Sequence, residues 1–238
     1  MLEFYNSVTM HIPRVTKELK MNSEELQFHK EAFDKIPEEK RKRVLDAATT
    51  EFAQYGFENT SIQQIAKKAE ISVGSVYKYF ENKEELFAMV VKENLALLEE
   101  LLLHHSSSDE DIMVKAESVL KELLRFSRKH PERIKLYNAI TTGNNVEFSR
   151  MLAERVESIS AKIYTEVIEK AQQSGDVRSD VDPRVFAFLL DNIFTMLQFS
   201  ISCDYYKERL KVYIGEDEEK QDELLIKQTL KFINAAFK

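Results

Sequence analysis

The stretch TSIQQIAKKAEISVGSVYKYFENK, residues 60–83, predicts two short helices joined by a tight turn, the second with an outer face free to touch something other than its own chain. Thr60, with Gln63 three residues on, has the form of a capping box that starts the first helix. Ile62, Ile65, Ala66 and Ala69 then share one apolar face, and Ala66 is small enough to let the next helix cross close by. Ile71 and Ser72 make the turn, with Ser72 as N-cap of a second helix over 73–80 that buries Val76 and Phe80. Gly74, Ser75, Tyr77, Lys78 and Tyr79 remain on or near its outer surface. Such a pair is a helix-turn-helix, which lays its second helix in the DNA major groove.

The flanking residues extend the motif to three helices in order: RKRVLDAATTEFAQYGFENTS, then IQQIAKKAEIS, then VGSVYKYFENKEELF. Residues 40–87 closely resemble the DNA-binding domain of the TetR family of bacterial transcriptional regulators. The run Ser75, Val76, Tyr77, Lys78, Tyr79, Phe80, followed by Asn82, Lys83, Glu84, Glu85 and Leu86, carries most of the likeness. One position departs: Glu70 stands at the turn where the family usually has glycine. A side chain with a Cβ is then expected in a left-handed conformation, at a cost on the order of 1 kcal/mol.

The resemblance implies an all-α fold: an N-terminal three-helix DNA-binding domain over 36–82, then a larger helical ligand-binding and dimerisation domain over 83–238. Glycine and proline placement supports it independently. Gly56, Gly143, Gly175 and Gly215 each follow an apolar-periodic stretch, where a helix end favours a left-handed residue, and Pro37, Pro131 and Pro183 each stand where a helix begins. The segments between predict helices near 37–55, 61–68, 73–79, 83–104, 111–129, 131–141, 146–173, 183–212 and 218–236, with no convincing strand. Residues 1–35 fall outside the likeness. Asn22 and Ser23 can cap a short helix carrying Leu26 and Phe33, Met21 is a candidate start, and a disordered or loosely docked extension is the expectation.

Geometry and resemblance together suggest the DNA contacts. Thr60 and Ser61 offer hydroxyls and amides to a phosphate at the start of the first motif helix. Val73, Gly74 and Ser75 open the recognition helix, where base edges come nearest; Val73 suits a thymine methyl and Ser75 bonds to several bases. Tyr77, Lys78 and Tyr79 reach backbone or groove wall, although core packing is an equal reading for Tyr79. Lys83, at the start of the next helix, adds an ammonium to the dipole there in gripping a phosphate. The run Lys40, Arg41, Lys42, Arg43 is either a solvated face or a source of one or two phosphate contacts. Gly74 is the one glycine inside a predicted helix, and the backbone there is expected to approach DNA more closely than a Cβ allows.

The chain carries a net charge of −7, and its distribution matters more than the total. Residues 35–83 hold a net +2, which leaves −9 on the remainder, so the acidic bulk turns the basic end toward DNA. With 43% hydrophobic residues the core is ample, and one cysteine, Cys203, excludes an internal disulfide framework and suits a reducing compartment. Neither a secretion signal nor an apolar run of membrane-spanning length stands out, so a cytoplasmic protein without membrane attachment is expected.

Beyond about residue 90 amphipathic helices take over. By resemblance this part binds a small-molecule effector and forms a homodimer through its last two long helices. Phe186, Leu189, Leu190, Ile193, Leu197 and Ile201, with Leu225 and Ile233, are the expected dimer interface, since helices apolar on more than one face need further burial. Candidate ligand-lining residues are Phe126, Tyr137, Asn138, Phe148, Met151, Tyr164, Phe194, Gln198 and Cys203; an aromatic, apolar lining suits a hydrophobic or amphipathic molecule. The expectation is a regulator, most simply a repressor, that binds a palindromic operator in double-stranded DNA and is released by its ligand. The alternative is a helical interaction protein of the same fold without ligand-controlled DNA binding.

Enzyme motifs are absent from the sequence: there is no GxGxxG, P-loop, GxSxG or HExxH. His104 and His105 near Asp109, Glu110 and Asp111 read as a solvated loop beside Ser106, Ser107 and Ser108 rather than a metal site. No catalytic residue, metal or cofactor is expected.

Overall fold

The structure is a computed structural model that describes residues 28–106, 110–142, 157–215 and 218–238. Among these, eleven helices and no strand are found: α1 (Glu31–Asp34), α2 (Glu38–Asn59), α3 (Ile62–Lys68), α4 (Val73–Tyr79), α5 (Lys83–Ser106), α6 (Ile112–Lys129), α7 (Pro131–Thr141), α8 (Ser158–Ser174), α9 (Pro183–Ser202), α10 (Asp204–Ile214) and α11 (Glu218–Phe237). The described residues fall into two compact units, 28–94 with 139–142, and 95–138 with 157–238.

The first unit is built on α2, α3, α4 and the start of α5. Val44, Ala48 and Phe52 of α2 close against Ile65 and Ala66 of α3, Val76 of α4, and Phe80, Leu86 and Ala88, all fully buried. Phe87 meets Phe52 edge-on at 4.8 Å between ring centres. Where the first long helix was expected to end, α2 kinks at Gly56, whose φ of 72° and ψ of 170° only glycine adopts without strain, before a last turn to Asn59. Glu70 adopts the left-handed conformation expected of it, with φ 55°.

The expectation of a loose extension over 1–35 is corrected at its C-terminal end. Phe28 and Phe33 are buried in the core of this unit, and α1 packs on α4. The expected cap at Asn22 and Ser23 and the placement of Leu26 lie outside the described residues.

The second unit is organised around α9, which packs against α6, α8 and α10, while α11 packs on α6. Leu120 and Leu124 of α6, Ile168 of α8, Phe194 of α9, and Ile233 and Phe237 of α11 form its core. Local chemistry sets the helix ends. Asp182 caps α9 by accepting from the Arg184 amide at 2.9 Å, with Pro183 at the first helical position, and Gly175 ends α8 at φ 85°. The Arg128 guanidinium holds Asp222 at 2.6 Å, tying α6 to α11.

The expected single helix 183–212 is two. Cys203 is extended at φ −97°, ψ 133°, and beside it the buried Ser202 hydroxyl donates to the Ser127 carbonyl at 3.0 Å. By length and composition α9 is the one described helix apolar enough to cross a membrane; Ala187, Leu190, Phe194 and Ile201 along it are buried in the core, while Val185, Phe188, Leu189 and Met196 are exposed. The start of the expected helix 146–173 lies outside the described residues; α8 accounts for the rest.

Candidate nucleic-acid interface

The motif forms as two short helices with opposite burial on their two faces. Ser61, rather than Thr60, caps α3: its hydroxyl accepts from the Gln64 amide at 3.3 Å, and Gln64 Oε1 accepts from the Ser61 amide at 2.8 Å. Thr60 is corrected from its expected capping and phosphate-binding role. Its hydroxyl is buried and shares its one proton between the Gly56 carbonyl at 2.7 Å and the Glu51 carbonyl at 3.0 Å, fastening the last turns of α2. The capping box therefore sits one residue further along than expected.

Ser72 caps α4, accepting from the Ser75 amide at 3.1 Å, and its hydroxyl shares a hydrogen bond with that of Ser75 at 2.9 Å. Val76 faces the core with no exposure, whereas Gly74, Tyr77 and Lys78 are exposed and Val73 and Ser75 half-exposed. A Cβ at Gly74 would meet only the Ser72 hydroxyl, at 3.8 Å. The protein's own packing makes no demand for glycine there.

Two expected contacts are placed elsewhere. Tyr79 is buried, with its ring 5.6 Å from that of Phe33 and the Lys40 ammonium 5.7 Å from its centre, so its side chain serves the core rather than the groove wall. Lys83 is turned back over the Phe57 ring, and its ammonium donates to the carbonyls of Phe57, Glu58 and Thr60 at 2.7, 3.3 and 3.1 Å. A cation at the last carbonyls of α2 complements the helix dipole, and every proton on that nitrogen has a partner. The basic run at the head of α2 is similarly occupied in part: Arg43 donates to the Ala69 carbonyl at 3.0 Å and Arg41 to the Asp34 carbonyl at 3.2 Å. Of the expected contacts, Gly74, Tyr77 and Lys78 are exposed and Ser61, Val73 and Ser75 half-exposed.

In the second unit the ligand candidates divide. Tyr164 and Phe194 line a cavity of about 50 Å³ with Ile112, Val119, Leu190 and Phe237, and Lys115 is the one charged side chain of its wall. Phe126, Tyr137 and Cys203 belong instead to a separate cluster with Ile134, Phe199 and Tyr206. Asn138 and Gln198 are half-buried outside both linings, and Phe148 and Met151 lie outside the described residues. Tyr137 donates to Glu157 at 2.5 Å. Burial above all, with the Glu157 charge second, lifts Asp191 to about 6, against the hydrogen bond from Ser160 that lowers it. Burial and the Asp191 charge also push the Tyr164 phenol up.

The expected dimer residues divide by burial. Ile233, Ile201 and Leu190 are buried in the core of their own unit, and Phe186, Ile193, Leu197 and Leu225 pack against it. Leu189 alone of that set is exposed, on a face with Val185, Phe188 and Met196 of α9, and α11 exposes Leu224 and Phe232. Among the described residues no group of His, Cys, Asp and Glu side chains could hold a metal ion; the expected loop at 107–109 lies outside them.

Residues 44–90 match the family model described as bacterial regulatory proteins, tetR family. The chain is 32% identical over 156 residues to the HTH-type transcriptional repressor SCO4008 of Streptomyces coelicolor, covering 65% of this chain and 76% of that protein. In fold it is similar to the transcriptional regulator FadR of Bacillus subtilis solved with stearoyl-CoA, at TM-score 0.66 and 16% identity over 83% of this chain and 99% of that one. It is likewise similar to AibR solved with isovaleryl coenzyme A and operator DNA, at TM-score 0.61 and 19% identity over 82% and 97% of the two chains. With a helix-turn-helix capped at Ser61 and Ser72, its recognition helix presenting Gly74, Tyr77 and Lys78, and a repressor aligned along most of its length, the chain belongs to the TetR family of bacterial transcriptional regulators.

Proposed function

We propose that this regulator is a cytoplasmic repressor without enzymatic activity, which binds an inverted-repeat operator as a homodimer and is released by a small acyl-bearing ligand. The observation that carries the DNA half is α4, held on a closed aromatic core with Gly74, Tyr77 and Lys78 outward. Val73, Gly74 and Ser75 would meet base edges, while Lys78 and the Ser61 cap would meet phosphates. The apolar faces of α9 and α11 would close the dimer, because two large aromatic side chains, Phe188 and Phe232, stand in water otherwise. Two recognition helices related by a twofold would then read half-sites about one helical turn apart.

The ligand half is supported by two proteins of similar fold, one solved with stearoyl-CoA and the other with isovaleryl coenzyme A. Here the corresponding chemistry would be an acyl group against Val119, Tyr164 and Phe194 with an anionic part near Lys115. At about 50 Å³ the cavity is smaller than an acyl group needs, so a ligand would have to part α6 from α8 to enter, a long chain more than a short one. Helix α5, which carries residues of both units, is the element through which ligand would favour the state unable to bind DNA.

The test is selection of bound duplexes from a random pool at about 150 mM salt, where non-specific binding is weak. An enriched inverted repeat, lost on Tyr77→Ala and released by a short acyl-CoA, is the expected result. No enrichment, before and after stripping of copurified ligand, would instead support a helical interaction protein.

A further inference from the structure

The segment preceding the family's matched residues does something to α4 that the helix cannot do alone. A helix of seven residues has too few internal bonds to hold its own geometry, and its last carbonyls have no partner within it. At the C-terminal end of α4 one residue supplies the donors for two of these carbonyls. The Lys30 ammonium donates to the Tyr77 carbonyl at 3.0 Å, and the Lys30 amide donates to the Tyr79 carbonyl at 2.7 Å. That ammonium also meets Glu81 at 3.0 Å, so the cation sits at the negative end of the helix dipole. Three residues on, Phe33 is 1% exposed and wedged 5.6 Å from the Tyr79 ring and 4.9 Å from the Phe80 ring. His29 braces Phe33 edge-on at 5.4 Å and pairs with Asp34 at 2.7 Å.

The other end of α4 is held by the Ser72 cap and by packing on α3. The helix is thus pinned at two points, and its tilt depends on both. Tyr77 is the residue most affected: its side chain is on the open face while its carbonyl is held by Lys30.

We propose that Lys30 and Phe33 are positioning residues for operator recognition, setting the tilt of α4 and hence the bases it reads. The residues that match the family begin at 44, so this clamp is contributed from outside them. The inference rests on the DNA-binding reading above and fails separately from it.

The test uses the full chain with Lys30→Ala, Lys30→Arg, Phe33→Ala and Phe33→Leu. Affinity is measured for the selected inverted repeat and for a scrambled duplex, well below each variant's melting temperature, with active protein counted by stoichiometric titration. Lys30→Ala and Phe33→Ala are expected to lower the ratio of the two affinities by about tenfold or more, for Lys30 the scale of one lost charge-assisted hydrogen bond. Binding to the scrambled duplex and the salt slope should stay as in the parent. Lys30→Arg and Phe33→Leu should recover most of the ratio. The Lys30 side chain is 43% exposed, so its variants fold even if Phe33→Ala does not. An unchanged ratio with only a lower melting temperature would overturn the proposal in favour of simple structural support. Equal losses on both duplexes with a slope reduced by about 1 would overturn it in favour of a phosphate contact. If the parent itself enriches no inverted repeat, the DNA-binding reading is what has failed.

Discussion

The Lys83 ammonium lies 4.4 Å from the centre of the Phe57 ring and donates to the carbonyl of the same residue at 2.7 Å. Sequence position suggests a phosphate ligand; geometry makes it the C-terminal clasp of α2. Lys83→Ala should therefore destabilise the first unit by about 1–2 kcal/mol, through unpaired carbonyls and a lost cation–π contact, while leaving the salt dependence of DNA binding intact. Lys78→Ala should do the reverse, with little change in stability and a salt slope lower by about 1. Thermal melts and binding titrations at several salt concentrations separate the two.

Gly74→Ala pits two effects against each other. The new Cβ meets only the Ser72 hydroxyl at 3.8 Å, so the helix should gain about 1 kcal/mol from better propensity. If the α4 backbone approaches DNA closely, the same methyl weakens operator binding by about tenfold or more. A melting temperature that rises while affinity falls is the expected pair of results; a rise in both would mean that the glycine has no role at the groove.

Asp191 should make the second unit more stable in mild acid than at neutrality. Folding lifts its carboxyl from 3.8 to about 6, by burial first and the Glu157 charge second. Its favourable contribution is fully present below the unfolded value, and is lost as pH rises through about 6 because a buried charge must then form. The difference is on the order of 2 kcal/mol. Asp191→Asn, which keeps a partner for Ser160, should flatten denaturant-midpoint profiles between these pH values and raise stability at neutral pH.

Association and folding should respond to different residues of the last helices. Phe188→Glu, on the exposed face of α9, should weaken the proposed dimer by about a hundredfold or more, since a charge would have to be buried unpaired. Ile233→Ala should cost about 2–4 kcal/mol of folding stability, because the side chain has no exposure at all, and leave the association of folded protomers unchanged. Sedimentation and denaturant titration of both variants would show the division.

What could be read in the sequence was what depends on near neighbours. The Ser72 cap, the left-handed Glu70, the Val76 and Phe80 burial and the Asp182–Pro183 start of α9 all follow from residues within one turn of each other. Misreadings arose where distant residues decide. Thr60 and Ser61 each stand three residues before a glutamine, and Ser61 takes the cap only because the Thr60 hydroxyl is bound to carbonyls of α2. The apolar pattern runs through Cys203 without pause, and the break falls beside Ser202, whose hydroxyl reaches Ser127 on another helix. On helices apolar around much of their circumference, periodicity does not say which side faces inward, so Ile233 and Ile201 read like interface residues. Phe33 reads as a helical residue, but its burial depends on Tyr79 and Phe80, far along the chain, and nothing near Phe28 announces that it is buried.

Cys203, the single thiol of the chain, marks the joint between α9 and α10; it is 5% exposed and pushed up to about 11 mainly by burial. A thiol both shielded and protonated reacts with alkylating reagents only when that joint opens. The native protein therefore carries its own stopwatch for the second unit. A compound that binds the closed form will slow the labelling in proportion to its concentration over its dissociation constant, and so candidate effectors can be ranked by modification rate on unlabelled protein, with no operator in hand.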